Sequence, residues 1–199
     1  MILVPSYEPR DKFYRKAKAK GLPSRAAFKL EELLERVRLP AAARVIDLGC
    51  APGGWLAILA PAVASKGRVI GVDLAPCGTF GPSVETVVAD IRDPALPAAI
   101  KDRLGGPADL VTSDLSPKLT GIRERDEAQF EQLVEAALAM AAATLKPGGA
   151  MIAKLFMGGA FKEMIARFEA RFGKVEVTRA KATRPGSSEL YLIARDFRG

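Results

Sequence analysis

The sequence predicts an α/β fold, a mostly parallel seven-stranded sheet with helices on both faces. Three observations point to it. Apolar runs of strand length alternate with stretches of helical length along the 199 residues, the pattern of crossover units that pair parallel strands. The run Asp47-Leu48-Gly49-Cys50-Ala51-Pro52-Gly53-Gly54-Trp55 turns directly out of the apolar pair Val45-Ile46, as a strand does when glycines let it bend sharply into a helix. Charged side chains close or leave apolar runs at Asp73, Asp90, Asp114 and Lys154, where the carboxyl ends of parallel strands form a ligand crevice.

Ser24 is placed to cap a helix reaching about Val37, with Phe28, Leu30, Leu33, Leu34 and Val37 on its apolar face. Arg44 to Leu48 reads as the first strand, Trp55 to Ala64 as a helix and Arg68 to Asp73 as the second strand. Val84 to Ala89 is a third strand ending at Asp90, and Asp109 to Ser113 is a fourth. Glu127 to Leu145 makes a long helix closed by Lys146-Pro147-Gly148-Gly149. Met151 to Phe156 is a strand, Phe161 to Phe172 a helix, and Lys174 to Thr178 and Leu190 to Ala194 the last strands. With no repeat, linker or low-complexity segment, a single domain over residues 1–199 is expected.

Asp73 lies twenty positions beyond Gly53, the spacing at which an acidic residue accepts hydrogen bonds from ribose hydroxyls in a doubly wound fold. The glycines narrow the ligand further. Gly49-Cys50-Ala51-Pro52-Gly53-Gly54 lacks the G-x-G-x-x-G spacing and places a proline in the turn, which disfavours NAD, and the chain has no phosphate-binding G-x-x-x-x-G-K-[ST] run. An adenosine ligand without phosphates remains, with S-adenosylmethionine the leading case. The chain has no histidine, which excludes imidazole bases, Ser-His-Asp triads and histidine-ligated metals. No metal is expected. Cys50 and Cys77 are the only cysteines and read as small apolar residues.

No run approaches the roughly 18 to 20 apolar residues of a membrane helix, and the start Met1-Ile2-Leu3-Val4-Pro5 lacks signal-peptide order. A cytoplasmic monomer is expected. The net charge of +7 is matched by residues 10–29 alone, where Arg10, Lys12, Arg15, Lys16, Lys18, Lys20, Arg25 and Lys29 face only Asp11. Phe13 and Tyr14 lie among these charges, and a cationic segment with interleaved aromatics suits phosphates and unstacked bases. Arg179, Lys181 and Arg184 extend the same surface. A nucleic acid is therefore the expected partner, with no role for a membrane. Lys154 stands inside a buried strand, costly unless paired or functional, with Asp114 and Glu189 as candidate partners.

In order and spacing, Ser24-Arg25-Ala26-Ala27-Phe28-Lys29-Leu30, the glycine turn, Ser113-Asp114-Leu115-Ser116-Pro117, Leu145-Lys146-Pro147-Gly148-Gly149, Lys154 and Ser188-Glu189-Leu190-Tyr191 resemble the FtsJ (RrmJ-type) heat-shock RNA methyltransferases over nearly the whole chain. The resemblance implies a Rossmann-like methyltransferase fold and transfer of a methyl group from S-adenosylmethionine to a ribose 2′-oxygen, that of a uridine in 23S ribosomal RNA of the large subunit, and so implies RNA, not DNA, as the partner. It places the family's catalytic tetrad on Lys29, Asp114, Lys154 and Glu189, and its cofactor contacts on Gly53, Trp55, Asp73, Asp90 and Asp114. One departure stands beside the target: Ser116-Pro117-Lys118 replaces the Ala-Pro-Asn of the bacterial ribosomal enzymes.

Lys154 is the expected proton acceptor. It serves as a base only when neutral, which burial and positive neighbours favour and Asp114 and Glu189 oppose. The sequence leaves open whether it removes the proton or, kept charged, orients the 2′-oxygen. A transfer-RNA 2′-O-methyltransferase and a non-enzymatic RNA-binding ribosome-assembly protein are the competing readings; the second has no need for Asp73 and Lys154 at strand ends.

Overall fold

A computed structural model describes residues 12–199; Arg10 and Asp11 of the basic segment lie outside the described residues. Seven strands form one sheet in the order β3-β2-β1-β4-β5-β7-β6. They are β1 (Arg44–Leu48), β2 (Arg68–Asp73), β3 (Val84–Val88), β4 (Ala108–Ser113), β5 (Leu145–Phe156), β6 (Phe172–Thr178) and β7 (Glu189–Phe197). The first five run parallel, and β7 enters antiparallel between β5 and β6. The order reverses on the two sides of β1, so the strand ends there diverge and leave a crevice.

Two apolar layers hold helices to the sheet. On one face, α2 (Ala26–Leu34) and α3 (Leu56–Ala62) bury Leu30, Leu33, Leu56 and Leu59 against Val45, Val69, Ile152 and Tyr191. On the other, α4 (Leu96–Leu104), α5 (Arg123–Thr144) and α6 (Phe161–Glu169) bury Ile100, Phe130, Val134 and Phe168 against Ile46, Ile70, Val111 and Leu192. Adjacent residues such as Val45 and Ile46 thus serve opposite faces, as the pleat requires. Each buried aliphatic side chain contributes about 1.5–3 kcal/mol.

Several boundaries differ from the sequence reading. The long helix begins four residues earlier, at Arg123, because the Asp126 carboxylate takes the Thr120 and Gly121 amides at 2.8 and 3.1 Å and so fixes the approach to the first turn. It ends at Thr144, where Leu145 leaves to pair with Ala108, so β5 starts six residues before Met151. Helix α2 begins at Ala26, yet Ser24 still supplies the bond at that end: its Oγ accepts the Ala26 amide at 3.2 Å. Two helices lay outside the sequence reading, α1 (Lys12–Ala19) and α4.

The structure docks α1. Ala17 is buried with Phe28 and Ala182, and the Phe13 and Phe28 rings lie 6.0 Å apart. Lys16 and Lys20 stand over the Phe28 ring at 4.9 and 5.6 Å, and Arg25 donates to the Ala182 carbonyl. The basic segment is thereby tied to the loop that carries Arg179, Lys181 and Arg184. Among the described residues, no helix is long and apolar enough to cross a membrane.

Asp47 is completely buried in β1. Thr112 donates to its Oδ1 at 2.7 Å and its Oδ2 has no partner. Burial, resisted by the Thr112 bond and reinforced by Asp114 and Asp73, raises the Asp47 carboxyl from 3.8 to about 8. Between those values the native state holds a proton that the unfolded chain releases. Stability should therefore fall as pH rises from about 4 to 8, by at most about 1.4 kcal/mol per unit. Urea unfolding of the parent and Asp47→Asn at pH 5 and pH 8 checks this: the parent weakens at the higher pH and the variant, neutral throughout, changes less. Equal changes in both proteins would assign the proton to another group.

Candidate active site

The crevice opens at the carboxyl ends of β1 to β4. It encloses about 520 Å³, within the range of small-molecule sites. Its wall includes Gly49 after β1, Asp73 at the end of β2, Asp90 after β3, and Asp114 and Ser116 after β4. The turn beside it is held by sheet-end hydrogen bonds: the Gly49 and Cys50 amides both donate to the Val72 carbonyl, at 2.8 and 3.3 Å. Gly49 adopts φ 77°, and a Cβ there would lie 3.1 Å from the Leu115 backbone nitrogen. Glycine lets the strand end turn left-handed under the β4 loop.

Asp73 orders both loops that flank it. Its Oδ2 accepts the Ala51 amide at 3.0 Å and its Oδ1 the Ala75 amide at 2.9 Å. A carboxylate offers about four acceptor positions, so about two remain for a ligand. Asp90 faces the crevice in a different state. Arg92 grips it through Nε at 2.9 Å, Nη2 at 2.5 Å and its own amide at 3.0 Å. Those side-chain and backbone bonds hold the Asp90 carboxyl down at about 2. Both partners are exposed, so the pair opens at little cost.

Gly53 and Trp55 take other positions. Gly53, at φ 103°, lies under the Phe80 ring so closely that a Cβ would sit 1.9 Å from its Cζ. The Trp55 indole is buried, donates to the Ala26 carbonyl at 3.0 Å and packs against Tyr191 with ring centroids 6.1 Å apart. Its side chain therefore joins α2, the glycine turn and β7 from within the helical layer, and neither residue forms the crevice wall. Cys50 is buried and Cys77 half-buried; burial pushes both thiols up, away from thiolate chemistry.

Beside Asp114 the structure gathers Lys29, Lys154 and Glu189. Lys154 is 7% exposed. Its Nζ donates to the Asp114 carbonyl and to Ser116 Oγ, each at 2.8 Å, and lies 3.2 Å from Asp114 Oδ1 in an ion pair. Lys29 Nζ donates to Glu189 Oε1 at 2.6 Å. Tyr191 joins the two pairs, because it stands opposite Lys154 across the β5–β7 ladder and its hydroxyl donates to Glu189 Oε1 at 2.8 Å. The Lys29 ammonium lies 5.6 Å from the centre of the Tyr191 ring.

The two carboxyls are tuned in opposite directions. Burial raises Asp114, against the pull of Lys154 and Lys29. Burial also acts on Glu189, but the charge and hydrogen bond of Lys29 outweigh it and hold Glu189 below the ordinary carboxylate value. The resulting cluster sets a buried ammonium and its acceptors behind a nucleoside-sized crevice. Such an arrangement can bind a polar oxygen and manage its proton. Ser116 and Tyr191 received no separate role from sequence, although both lie within runs that carried the family resemblance.

Residues 22–197 match the family described as FtsJ-like methyltransferase. Relatives named ribosomal RNA large subunit methyltransferase E include one from Anaeromyxobacter sp. (strain Fw109-5), 45% identical over 98% of this chain and 72% of its own length. A second, from Myxococcus xanthus, is 44% identical over 94% of this chain and 89% of its own. One from the archaeon Methanoculleus marisnigri is 44% identical over 96% and 93%. Among solved structures, a ribosomal RNA methyltransferase from Plasmodium falciparum superposes with a TM-score of 0.78 at 24% identity, covering 89% of this chain and 99% of that one. The crystal structure of a fibrillarin/Nop5p complex gives a TM-score of 0.62 at 18% identity over 85% and 80%. The fold is thus shared beyond clear sequence similarity.

Proposed function

The chain belongs to the FtsJ-like methyltransferase family and is a methyltransferase, and from that premise we propose that it transfers a methyl group from S-adenosylmethionine to a ribose 2′-hydroxyl of large-subunit ribosomal RNA, on a uridine of the 23S molecule. The observation that carries the reading is the placement of Lys154–Asp114 and Lys29–Glu189 as two linked ion pairs, of which Asp114 lines the crevice wall.

The residues present fit the cofactor. Asp73, at the end of β2, keeps acceptor positions for ribose hydroxyls after serving Ala51 and Ala75. Asp90, once Arg92 yields, and Asp114 line the same crevice and would hold the cofactor's other polar groups. Gly53 and Trp55 shape this site through the turn they hold. S-adenosylmethionine supplies a methyl group on a sulfonium, an electrophile that needs no further activation. The chain's tasks are to align the 2′-oxygen and to manage its proton. Lys154 accepts that proton, Asp114 fixes its position, and Lys29 and Glu189 hold the opposite side of the target hydroxyl.

The RNA lies along the cationic segment of residues 10–29, a part of the single domain. Lys12, Arg15, Lys16, Lys18 and Lys20 are exposed, and their docking through Phe13 and Ala17 fixes them in relation to Lys29 on α2. A held array loses less entropy on binding phosphates than a free tail.

Replacing Asp73 by alanine should weaken S-adenosylmethionine binding by about 1.5–3 kcal/mol, the range for bonds to a charged group, as read by calorimetry. The function itself is tested by incubating the purified protein with methyl-labelled S-adenosylmethionine and a mixture of undermethylated large ribosomal subunits and unmodified transfer RNA, then mapping ribose methylation by mass spectrometry. One 2′-O-methyluridine in 23S RNA is expected. Label found only in transfer RNA, or none at all, would overturn the substrate assignment.

A further inference from the structure

We propose that Ser116 is a catalytic residue, the hydroxyl through which the substrate proton reaches Lys154. This rests on the function proposed above and names a group that the tetrad does not contain.

Three observations carry it. The first is position. Ser116 is exposed and forms part of the crevice wall, whereas Lys154 is 7% exposed and lies behind it. The second is contact. Ser116 Oγ is 2.8 Å from Lys154 Nζ, a single hydrogen bond from the crevice to the buried nitrogen. The third is chemical type. Lys154's remaining acceptors are the Asp114 carbonyl at 2.8 Å and the Asp114 carboxylate at 3.2 Å. A carbonyl and a carboxylate only accept hydrogen bonds, so neither can pass a proton to the lone pair of a neutral amine. A hydroxyl accepts from an ammonium and donates to an amine. Ser116 is therefore the polar neighbour in this group that can donate to Lys154 as well as accept from it.

The step balances. As the 2′-oxygen forms its bond to the methyl carbon, the carbon–sulfur bond breaks and its electron pair stays on sulfur. The 2′-hydroxyl proton passes to Ser116 Oγ while the Ser116 proton passes to the neutral Lys154 amine. Ser116 ends as a hydroxyl and Lys154 as an ammonium, whose charge balances the one lost as the sulfonium becomes a thioether. Release of one proton from that ammonium to bulk water restores the neutral amine.

The test compares the parent with Ser116→Ala and Ser116→Thr, using the full chain throughout. With undermethylated large subunits, Ser116→Ala should lower kcat by about a hundred-fold, the low end of general acid–base contributions. KM for RNA and the calorimetric affinity for S-adenosylmethionine should stay within two-fold of the parent. Ser116→Thr, which keeps a hydroxyl, should stay within ten-fold in kcat. An independent measurement uses no substrate: reductive methylation of the cofactor-free proteins with formaldehyde, read at Lys154 by mass spectrometry. Loss of the covering hydroxyl should speed labelling several-fold in Ser116→Ala and not in Ser116→Thr. Parent-level turnover in Ser116→Ala, equal losses in Ala and Thr, or unchanged labelling of Lys154 would each overturn the relay. If Lys154→Ala is inactive while Ser116→Ala is not, the methyltransferase reading stands and the relay falls. A parent with no 2′-O-methylation of RNA would remove both.

Discussion

Lys154→Ala should lower kcat for methyl transfer by about a thousand-fold or more while leaving S-adenosylmethionine affinity within two-fold of the parent. The expected loss follows from general acid–base contributions of roughly 10² to 10⁴, combined with loss of the alignment that a buried ammonium gives. Cofactor affinity is spared because Lys154 stands behind the crevice wall. Removing one partner of a buried pair usually destabilises strongly. Here burial already pushes the Asp114 carboxyl upward, so protonation can relieve the unpaired charge. Thermal unfolding with and without cofactor separates lost chemistry from lost fold. Lys154→Arg divides the two roles left open by sequence. A guanidinium cannot give up its proton in this setting, so arginine retains activity if the residue only orients the 2′-oxygen and fails if it is the base. Failure is expected.

The quadruple replacement of Arg15, Lys16, Lys18 and Lys20 by alanine should weaken RNA binding by about two to three powers of ten at 0.1 M salt. Each lost phosphate contact removes roughly 0.7 to 0.9 from the slope of log affinity against log salt, so the slope should flatten by about 3. S-adenosylmethionine affinity should not change, because none of the four lines the crevice. Losing Lys16 and Lys20 also removes their contacts over Phe28, so circular dichroism must establish that α1 remains folded. Filter binding over a salt series decides the point. A quadruple variant with the parent's affinity and slope would move the RNA to Lys118, Arg179, Lys181 and Arg184.

What the sequence made legible depended on how locally each feature is encoded. Seven strands were readable because each apolar run is bounded by turn residues and two faces must be filled. The four tetrad positions were located by motif, and the fold alone explains why residues as distant as Lys29 and Glu189 meet 2.6 Å apart. Helix α1 was obscured by its charges, since only Phe13 and Ala17, four residues apart, carry its packing. Helix α4 had its signals: Leu96, Ile100 and Leu104 at four-residue spacing, Pro97 in the first turn and Gly105 left-handed at the end. Pro94, just before them, is a turn signal that masks the helix start. The Arg92 grip on Asp90 and the Phe80 ring over Gly53 depend on side-chain positions that no periodicity encodes. Ser116 behaved similarly: its type was visible, but not that it stands between solvent and Lys154.

The reversed direction of β7 sets the tolerance of the whole site. Glu189 begins β7 at the rim where β5 ends at Phe156, and the ladder pairs Lys154 with Tyr191 and Phe156 with Glu189. Successive side chains on a strand alternate in direction, so the ladder acts as a vernier with steps of two residues. An insertion of one residue between Leu190 and Tyr191 would put Glu189 and Tyr191, two residues apart on one face, on opposite faces of the sheet. Insertions in the preceding stretch, residues 185–187, leave that register untouched. Homologues should therefore vary in length before Ser188 and hold their spacing after it, so that the loop can diversify while the strand register is held at fixed pitch.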